Sequence, residues 1–419
     1  MPSQTLAGTL AIDFGTSNSA AATLIDGQIH RIAIEANAET LPTAVFFPAG
    51  RGAMRIGSAA ARALIDGEDG RYMRALKSVL GTQLLHEKRL IGGCDRTLAG
   101  IITEFLVAVR ERAEEATGQN FQHALSGRPV HFHSASAEKD RQAEDDLRAC
   151  YLAAGFDTVA FLAEPEAAAL VSHNLGSGSA SQLGLIVDIG GGTSDFSVFR
   201  SQGAELEILA NHGIRLGGTD FDYSVSMAHA MPLLGLGGEL RREMGKGLIP
   251  VPRAPFIDLA TWAKIPFLYT AKTRSMASGM ARMAIDRVEM DRFAAVLEME
   301  LGHELAFAIE RGKIAVNQSE QAVGIDMRFI ENDLSSTVTP CSLNAALADS
   351  KAQLGKAATR SLEMAGIQAQ DIDRVILVGG SSLMAFVSDE MHALCPQANI
   401  LRSQAFTAVV DGLALATRQ

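Results

Sequence analysis

The residues of this sequence that could do chemistry form one pattern that occurs twice. In each copy a short apolar run ends in an aspartate, Asp13 or Asp188, and a glycine turn with hydroxyl residues follows. The turn residues are Gly15, Thr16, Ser17 and Asn18 in the first copy and Gly190, Gly191, Gly192 and Thr193 in the second. Two such turns could hold one polyphosphate from opposite sides.

The residue types of the two turns suit the binding of a metal-bound polyphosphate. Glycine allows backbone N–H groups to approach phosphate oxygens closely and to converge on an anion. The hydroxyl groups of Thr16, Ser17 and Thr193 add further donors. Asp13 and Asp188 would repel phosphate unless a cation lay between them. Mg²⁺ fits this place because it couples carboxylates to phosphates while keeping several waters.

The alternative interpretation is a pair of ordinary β-hairpins with glycine turns. Short glycine motifs often match by chance, so one copy alone would not separate the two interpretations. The matched pair favours phosphate loops.

The elements that must position these turns are strands of α/β sheets. The apolar runs before Asp13 and Asp188 predict buried strands, and a second apolar run leads away from each turn, at 20–25 and at 196–199. The aspartates would then stand at the carboxyl ends of strands, where open α/β sheets bind ligands. Strands followed by helices in each half predict two related α/β halves that face each other across a hinged cleft.

The duplicated turn and a linker rich in Gly and Ser at 176–181 predict two lobes. The first lobe is predicted to comprise 1–182, with an inserted subdomain at about 41–98, and to be completed by a C-terminal helix at about 402–419. The second is predicted to comprise 183–401, with an inserted subdomain at about 223–318.

Composition and charge narrow the classes of partner and location. The 419 residues are 47% hydrophobic and 20% charged, as in a soluble globular protein with two or three cores. A net charge of −11 without a basic block argues against nucleic acid or an anionic membrane as the main partner. The sequence shows no secretory signal and no apolar run of membrane-spanning length, and its four cysteines are scattered. We therefore expect a cytoplasmic protein.

Seven motifs, taken in their order along the chain, resemble those of the actin-like ATPase superfamily. Within it they resemble the nucleotide-binding domain of the 70-kDa heat-shock (Hsp70, DnaK-type) chaperones, and the length is most similar to the short YegD-like members. The motifs lie at 11–19, 75–81, 163–170, 187–196, 216–222, 310–313 and 378–381. The resemblance implies a duplicated α/β fold of the actin-like ATPase (ribonuclease H-like) type, with two lobes around a central nucleotide cleft. It also implies ATP or ADP with Mg²⁺ as cofactors, and slow ATP hydrolysis.

The resemblance assigns roles to six side chains around the phosphates. Lys77 would neutralise the γ-phosphate and orient the attacking water, and Thr193 would lie beside that phosphate. Glu164 would contact the hydrated metal, which Asp13 and Asp188 would hold through water. The remaining catalytic residue, near the attacking water, would be Asp195.

Three of these roles have an alternative. Lys77 could be a solvated helix lysine, as most lysines are. Glu164 could simply be a carboxylate favoured at a helix start, and Asp195 could cap the turn.

The resemblance also implies a set of residues that contact the rest of the nucleotide: Gly217, Gly218, Glu310, Lys313, Ile314, Asn317, Gly379, Gly380, Ser381 and Leu383. Glu310 and Lys313 could instead form an i, i+3 salt bridge on a helix surface. The two glycines at 379–380 could form only a tight strand-to-helix turn.

Three features depart from the family pattern. Ile314 and Leu383 occupy the positions of two arginines that bracket adenine, which removes a stacking contribution on the order of 1 kcal/mol. In a match without gaps, His133 replaces the proline of the interdomain switch, although Arg141 is retained. The sequence ends at Gln419 without an acidic-leucine linker or a β-rich peptide-binding domain. We therefore expect a chaperone-related role in which unfolded protein or a co-chaperone is reached through another chain.

Other functions remain open at this point. A small-molecule kinase such as a sugar kinase would use an aspartate as general base. No aspartate outside the phosphate loops stands in a context that demands this. A polymerising protein of the actin type and a nucleotide-dependent binding module that no longer hydrolyses ATP are two further alternatives. Retention of Lys77, Glu164, Asp188 and Thr193 speaks against the last of these.

Overall fold

The computed structural model describes residues 8–35, 38–50, 52–174, 181–202, 205–402 and 407–418. It contains two compact units, one formed by Met1–Gly218 with Lys351–Gln419 and one by Thr219–Ser350. The predicted linker at 176–181 lies almost wholly outside the described residues. The lobes predicted at 1–182 and 183–401 divide the chain differently from these units and stay a prediction.

The strands, in chain order, are β1 (Thr9–Phe14), β2 (Asn18–Ile25), β3 (Gln28–Ile32), β4 (Thr40–Pro42), β5 (Ala44–Pro48), β6 (Arg55–Ile56), β7 (Gly70–Arg74), β8 (Arg89–Ile91), β9 (Cys94–Arg96), β10 (His123–Arg128), β11 (Thr158–Ala163), β12 (Gln182–Ile189), β13 (Ser194–Gln202), β14 (Glu205–Ile214), β15 (Glu239–Arg241), β16 (Leu248–Pro250), β17 (Val323–Asp326), β18 (Ser335–Val338), β19 (Arg374–Val378) and β20 (Asn399–Arg402). The α-helices are α1 (Ser58–Ile65), α2 (Leu98–Thr117), α3 (Ala137–Ala153), α4 (Glu164–Asn174), α5 (Gly218–Val225), α6 (Ala254–Leu259), α7 (Ala271–Met283), α8 (Arg287–Glu298), α9 (Gly302–Asn317), α10 (Pro340–Ala346), α11 (Ala348–Ala365), α12 (Ala385–Leu394) and α13 (Ala408–Ala416).

The first unit contains two sheets with the same topology. One sheet has the strand order β11-β10-β1-β2-β3, with β4 added beside β2. The other has the order β14-β13-β12-β19-β20, which matches the first when it is read from β20 to β14. In each, three consecutive strands form an antiparallel meander whose first strand pairs in parallel with a later strand. That later strand pairs in parallel with a fifth. The predicted duplicated α/β fold is confirmed.

The register of the two hairpins is also the same. Asp13 of β1 stands opposite Ala20 of β2, and Asp188 of β12 stands opposite Asp195 of β13. Each hairpin turns through a loop that begins with glycine directly after the last residue of its first strand. The two aspartates therefore occupy equivalent places at the carboxyl ends of equivalent strands.

Small residues allow two helices to pack closely in the core of the first unit. Helix α13 packs against α4 and also against β1 and β2. A Cβ atom on Gly412 of α13 would overlap the carbonyl oxygen of Ala167 in α4, so only glycine allows this approach. The predicted C-terminal helix at about 402–419 is thus α13, while 403–406 and 419 lie outside the described residues.

The region predicted as an inserted subdomain at 41–98 forms a small sheet, β6-β5-β7, with helix α1 packed on it and the hairpin β8-β9 after it. The second unit is mainly helical and carries the hairpins β15-β16 and β17-β18. Its core includes Phe256 and Phe293, stacked with ring centroids 4.5 Å apart. Among the described residues, no helix combines the length and apolar character that spanning a bilayer requires.

Candidate functional site

The two predicted phosphate loops lie against each other in the first unit. A Cβ atom added to Gly191 would overlap Ser17 Oγ, and one added to Gly192 would lie 3.2 Å from Thr16 Oγ1. The first loop therefore presents hydroxyl side chains to the bare backbone of the second. A side chain at Gly191 would force the Ser17 hydroxyl to move, and one at Gly192 would require a small adjustment of Thr16, so glycine gives the closest approach of the two loops.

A third glycine segment supports the second loop. The backbone N–H of Gly218 donates to the carbonyl oxygen of Gly190 at 3.0 Å. A Cβ atom on Gly217 would lie 2.5 Å from the backbone nitrogen of Gly192, which cannot move aside as a side chain could. Ser381 lies next to Gly218, since a Cβ atom added to Gly218 would overlap the Ser381 hydroxyl.

The predicted adenosine segment lies beside the second aspartate. Gly379 follows β19 with a φ of +81°, a conformation that favours glycine. A Cβ atom at this position would lie 2.7 Å from Asp188 Oδ1. Gly380 then opens a short 3₁₀ turn, Gly380–Leu383, that includes Ser381. The segment predicted to hold the nucleoside therefore starts from the same sheet edge as Asp188.

A buried ion pair lies at the centre of the site. The Nζ atom of Lys77 lies 2.6 Å from Oε1 of Glu164, and both residues are buried. Lys77 belongs to a short 3₁₀ turn, and Glu164 is the first residue of α4. The Lys77 ammonium also lies 6.0 Å from the ring centroid of Phe132. The alternative of a solvated lysine is therefore excluded.

Three aspartates share this region, as their pKa values show. Burial, followed by the negative charge of Glu164, raises the pKa of Asp13 to about 7, while the Lys77 ammonium acts to lower it. Burial, followed by the charges of Glu164, Asp195 and Asp13, holds the pKa of Asp188 well above its usual range. The pKa of Asp195 is raised in the same way, first by burial and then by Glu164.

A cluster of four carboxylates and one lysine carries excess negative charge, which fits a divalent cation. Within the described ranges, no three His, Cys, Asp or Glu side chains converge as a direct set of metal ligands. The prediction for Asp13 and Asp188 is a hydrated ion, and Mg²⁺ keeps most of its waters in such sites. The donor set is therefore compatible with Mg²⁺ held through water.

Asp195 is fixed by neighbours from two directions. Its Oδ1 accepts the backbone N–H of Val130 at 2.8 Å, and the Thr193 side chain also hydrogen-bonds to it, which lowers its pKa. It faces Asp188 across the β12–β13 pair. The carboxylate thus does more than cap its own turn, because it connects the second hairpin to the chain that leaves β10.

A small cavity adjoins the lysine and both loops. Its lining includes Thr16, Lys77, Pro129, His133, Thr193 and Arg215. Sequence reasoning identified Thr16, Lys77 and Thr193 as site residues, but it did not identify Arg215. The available signal was its place directly before the glycine motif that begins at Leu216.

The remaining predicted residues of the nucleoside site lie on helix α9 of the second unit: Glu310, Lys313, Ile314 and Asn317. The Nζ atom of Lys313 lies 2.6 Å from Asp222 Oδ1, and the Trp262 indole N–H donates to Asp222 Oδ2 at 3.0 Å. Burial raises the pKa of Asp222, while the Lys313 ammonium lowers it. Lys313 is thus a buried lysine with a carboxylate partner.

Ile314 and Leu383 both expose much of their apolar side chains, with 44% and 40% of their surface accessible. They belong to different units, and their joint role at the base stays a prediction.

A known protein family matches most of the chain. The family model described as Hsp70 protein matches residues 9–231 and 297–415, well over half of the chain. The matched ranges include both phosphate loops, Lys77 and Glu164, and they leave 232–296 unmatched. Together with the duplicated sheets, this match shows that the chain belongs to the Hsp70 family and has its actin-like ATPase fold.

Proposed function

We propose that this chain binds ATP or ADP with Mg²⁺ at its paired phosphate loops and hydrolyses ATP slowly. Hsp70 family members are ATP-binding proteins, so the family supports the general function and the site supports its details. The observation that carries the proposal is the buried Lys77–Glu164 pair among three aspartates, beside two loops of glycine and hydroxyl residues.

The residues have separate tasks in this proposal. The backbone N–H groups of both loops and the hydroxyls of Thr16 and Thr193 bind phosphate oxygens. Asp13 and Asp188 would hold hydrated Mg²⁺, which would supply positive charge to the phosphates. Lys77 stabilises the charge that develops on the γ-phosphate.

Asp195 orients the attacking water and accepts its proton. The hydrogen bond from the Val130 N–H fixes the carboxylate in one orientation. Its raised pKa makes it a better proton acceptor than an ordinary aspartate, since a general base works best when its pKa lies near the working pH. Glu164 keeps the Lys77 ammonium in place until a phosphate competes for it.

Gly379, Gly380 and Ser381 would contact the nucleoside, as the family resemblance implies. Glu310, Lys313 and Asn317 would contact it too, on the same basis. Ile314 and Leu383 would contact the base through apolar surface, so we propose weaker base selection than two arginines would give.

The wider role that we propose is chaperone-related and cytoplasmic. Nucleotide-dependent changes in this chain would be transmitted to unfolded protein or to a co-chaperone.

The test is steady-state release of phosphate from ATP by the wild-type protein and a Lys77→Ala variant, with and without Mg²⁺. We expect Mg²⁺-dependent release by the wild type and a kcat at least about 100-fold lower in the variant. The Kd for ATP, measured by calorimetry, should change by only a few-fold. A Lys88→Ala variant, at an exposed lysine of the same unit, should match the wild type.

A second variant distinguishes loss of catalysis from loss of folding. Lys77→Ala leaves Glu164 buried without its partner, which can cost about 3–5 kcal/mol of stability. The double variant Lys77→Met with Glu164→Gln removes both charges together and should fold, bind nucleotide and release no phosphate. Phosphate that appears on an added sugar, or unchanged kcat in both variants, would contradict the proposal.

A further inference from the structure

The turn that carries Lys77 has an unusual backbone. Ala75, directly before the turn, has a φ of +60°, which is uncommon for a residue other than glycine. Gly81, just after the turn, has a φ of +72°. Such conformations persist only where the surroundings hold them, so the contacts of this turn decide where the Lys77 ammonium lies.

Three backbone groups, in the turn or in the two residues after it, are held by side chains from elsewhere in the first unit. Arg215 Nη2 donates to the carbonyl oxygen of Ser78 at 2.8 Å. His133 Nε2 lies 2.7 Å from the carbonyl oxygen of Leu80, and the Gly81 N–H donates to Asp146 Oδ2 at 2.9 Å. Two of these three residues, Arg215 and His133, also line the cavity beside Lys77.

Arg215 and His133 also bind each other. Arg215 Nη1 lies 3.0 Å from His133 Nδ1. A guanidinium can only donate, so Nδ1 accepts, and the histidine proton is on Nε2, where it is donated to Leu80. A single guanidinium therefore joins three segments, which are the Lys77 turn, the loop after β10 and the chain that leaves β14.

We infer that Arg215 is a positioning residue for Lys77, an inference that rests on the proposed catalytic role of this lysine. The guanidinium bridges two acceptors at a fixed spacing, which holds the turn while the ammonium itself pairs with Glu164. Without the bridge the turn relaxes, and a displacement of about 1 Å at a catalytic group can lower the rate by up to about 100-fold. Arg215 is exposed, so its replacement should leave the core intact.

The experiment compares Arg215→Ala and Arg215→Lys with the wild type and with Arg200→Ala. Arg200 forms an exposed ion pair with Glu207 in the same unit and serves as the matched control. We expect kcat for phosphate release to fall between about 10-fold and 100-fold in both Arg215 variants, with the Kd for ATP within a few-fold of the wild type. Hydrogen exchange at 76–81 should become faster in both variants and stay unchanged in Arg200→Ala.

The lysine variant separates positioning from direct contact with phosphate. A lysine keeps the positive charge but cannot bridge Ser78 and His133 as the planar fork does. Arg215→Lys with nearly wild-type kcat would therefore overturn the inference in favour of a simple electrostatic role, and unchanged exchange at 76–81 would overturn it as well.

The outcomes also separate this inference from the proposed function. A wild-type protein that releases no phosphate would overturn both. A wild type that releases phosphate, with an inactive Lys77→Ala and fully active Arg215 variants, would overturn only the role of Arg215.

Discussion

The two hairpins that carry the phosphate loops share strand order, register and loop position, yet they differ at one position that matters. Asp13 and Asp188 occupy equivalent places, but Asp13 faces Ala20 whereas Asp188 faces Asp195. The equivalent aspartates could share one hydrated ion symmetrically. Only the second hairpin adds a carboxylate that could act on water, so the duplicated framework supports a symmetric grip and an asymmetric reaction.

The loops themselves differ in a complementary way. The first presents Thr16 and Ser17, and the second presents backbone at Gly191 and Gly192. Each loop is shaped by the other, since side chains on both would overlap. The two hairpins therefore have the same backbone register, but their side chains differ in the contacts they can make.

The largest effect on ATP hydrolysis is expected from removing the Asp195 carboxylate, which has no equivalent in the first hairpin. Asp195→Asn keeps an oxygen that can accept the Val130 N–H but removes the proton acceptor, so we expect kcat for ATP hydrolysis to fall by at least about 100-fold. Asp188→Asn should instead raise the Mg²⁺ concentration needed for half-maximal activity. Phosphate release over a series of Mg²⁺ concentrations measures both. Equal shifts in Mg²⁺ dependence for the two variants would contradict the division of roles.

A smaller effect is expected where glycine allows close packing of the second loop. Gly217→Ala would place a Cβ atom 2.5 Å from a backbone nitrogen, which only a movement of the loop can relieve. We expect a loss of about 1–3 kcal/mol in the free energy of unfolding and about 10-fold weaker ATP binding. Urea unfolding and calorimetry measure these changes.

Gly190→Ala is the matched control for this substitution. The nearest protein atom to a Cβ at Gly190 is 3.7 Å away, an ordinary contact, so this variant should keep the wild-type free energy of unfolding. The same loss in both variants would show that loop flexibility, and not the close approach at Gly217, is responsible.

The sequence allowed the duplicated sheets and the loop residues to be predicted because their signals are local. An apolar run, an aspartate and a glycine turn follow one another within a few residues, and the pattern occurs twice. The burial of Lys77 was not predictable in this way. It lies in a 3₁₀ turn of only four residues, Leu76–Val79, which is too short for a hydrophobic pattern to show which side faces the core. Its ion pair with Glu164 joins residues far apart in the chain.

The division into two units was also beyond local signals. The boundary after Gly218 falls at the first residue of helix α5, with no change of composition that would mark a linker. The switch position in the loop after β10 stays a prediction. A match without gaps places it at His133, and Pro129, directly after β10, lines the same cavity.

The smallest effect concerns the first hairpin alone. The pKa of Asp13 is about 7 in the folded protein, against an ordinary value of 3.8. Between these values the folded state keeps a proton that the unfolded state has lost, so the free energy of unfolding should fall as pH rises towards 7 and then level off. The slope for one proton is at most about 1.4 kcal/mol per pH unit. Urea unfolding of ligand-free protein from pH 5 to 8 should show that Asp13→Asn lacks this contribution, so that the variant gains stability relative to the wild type as pH rises. Parallel curves for the two proteins would mean that Asp13 ionises normally and that the two aspartates do not compete for charge in the absence of a cation.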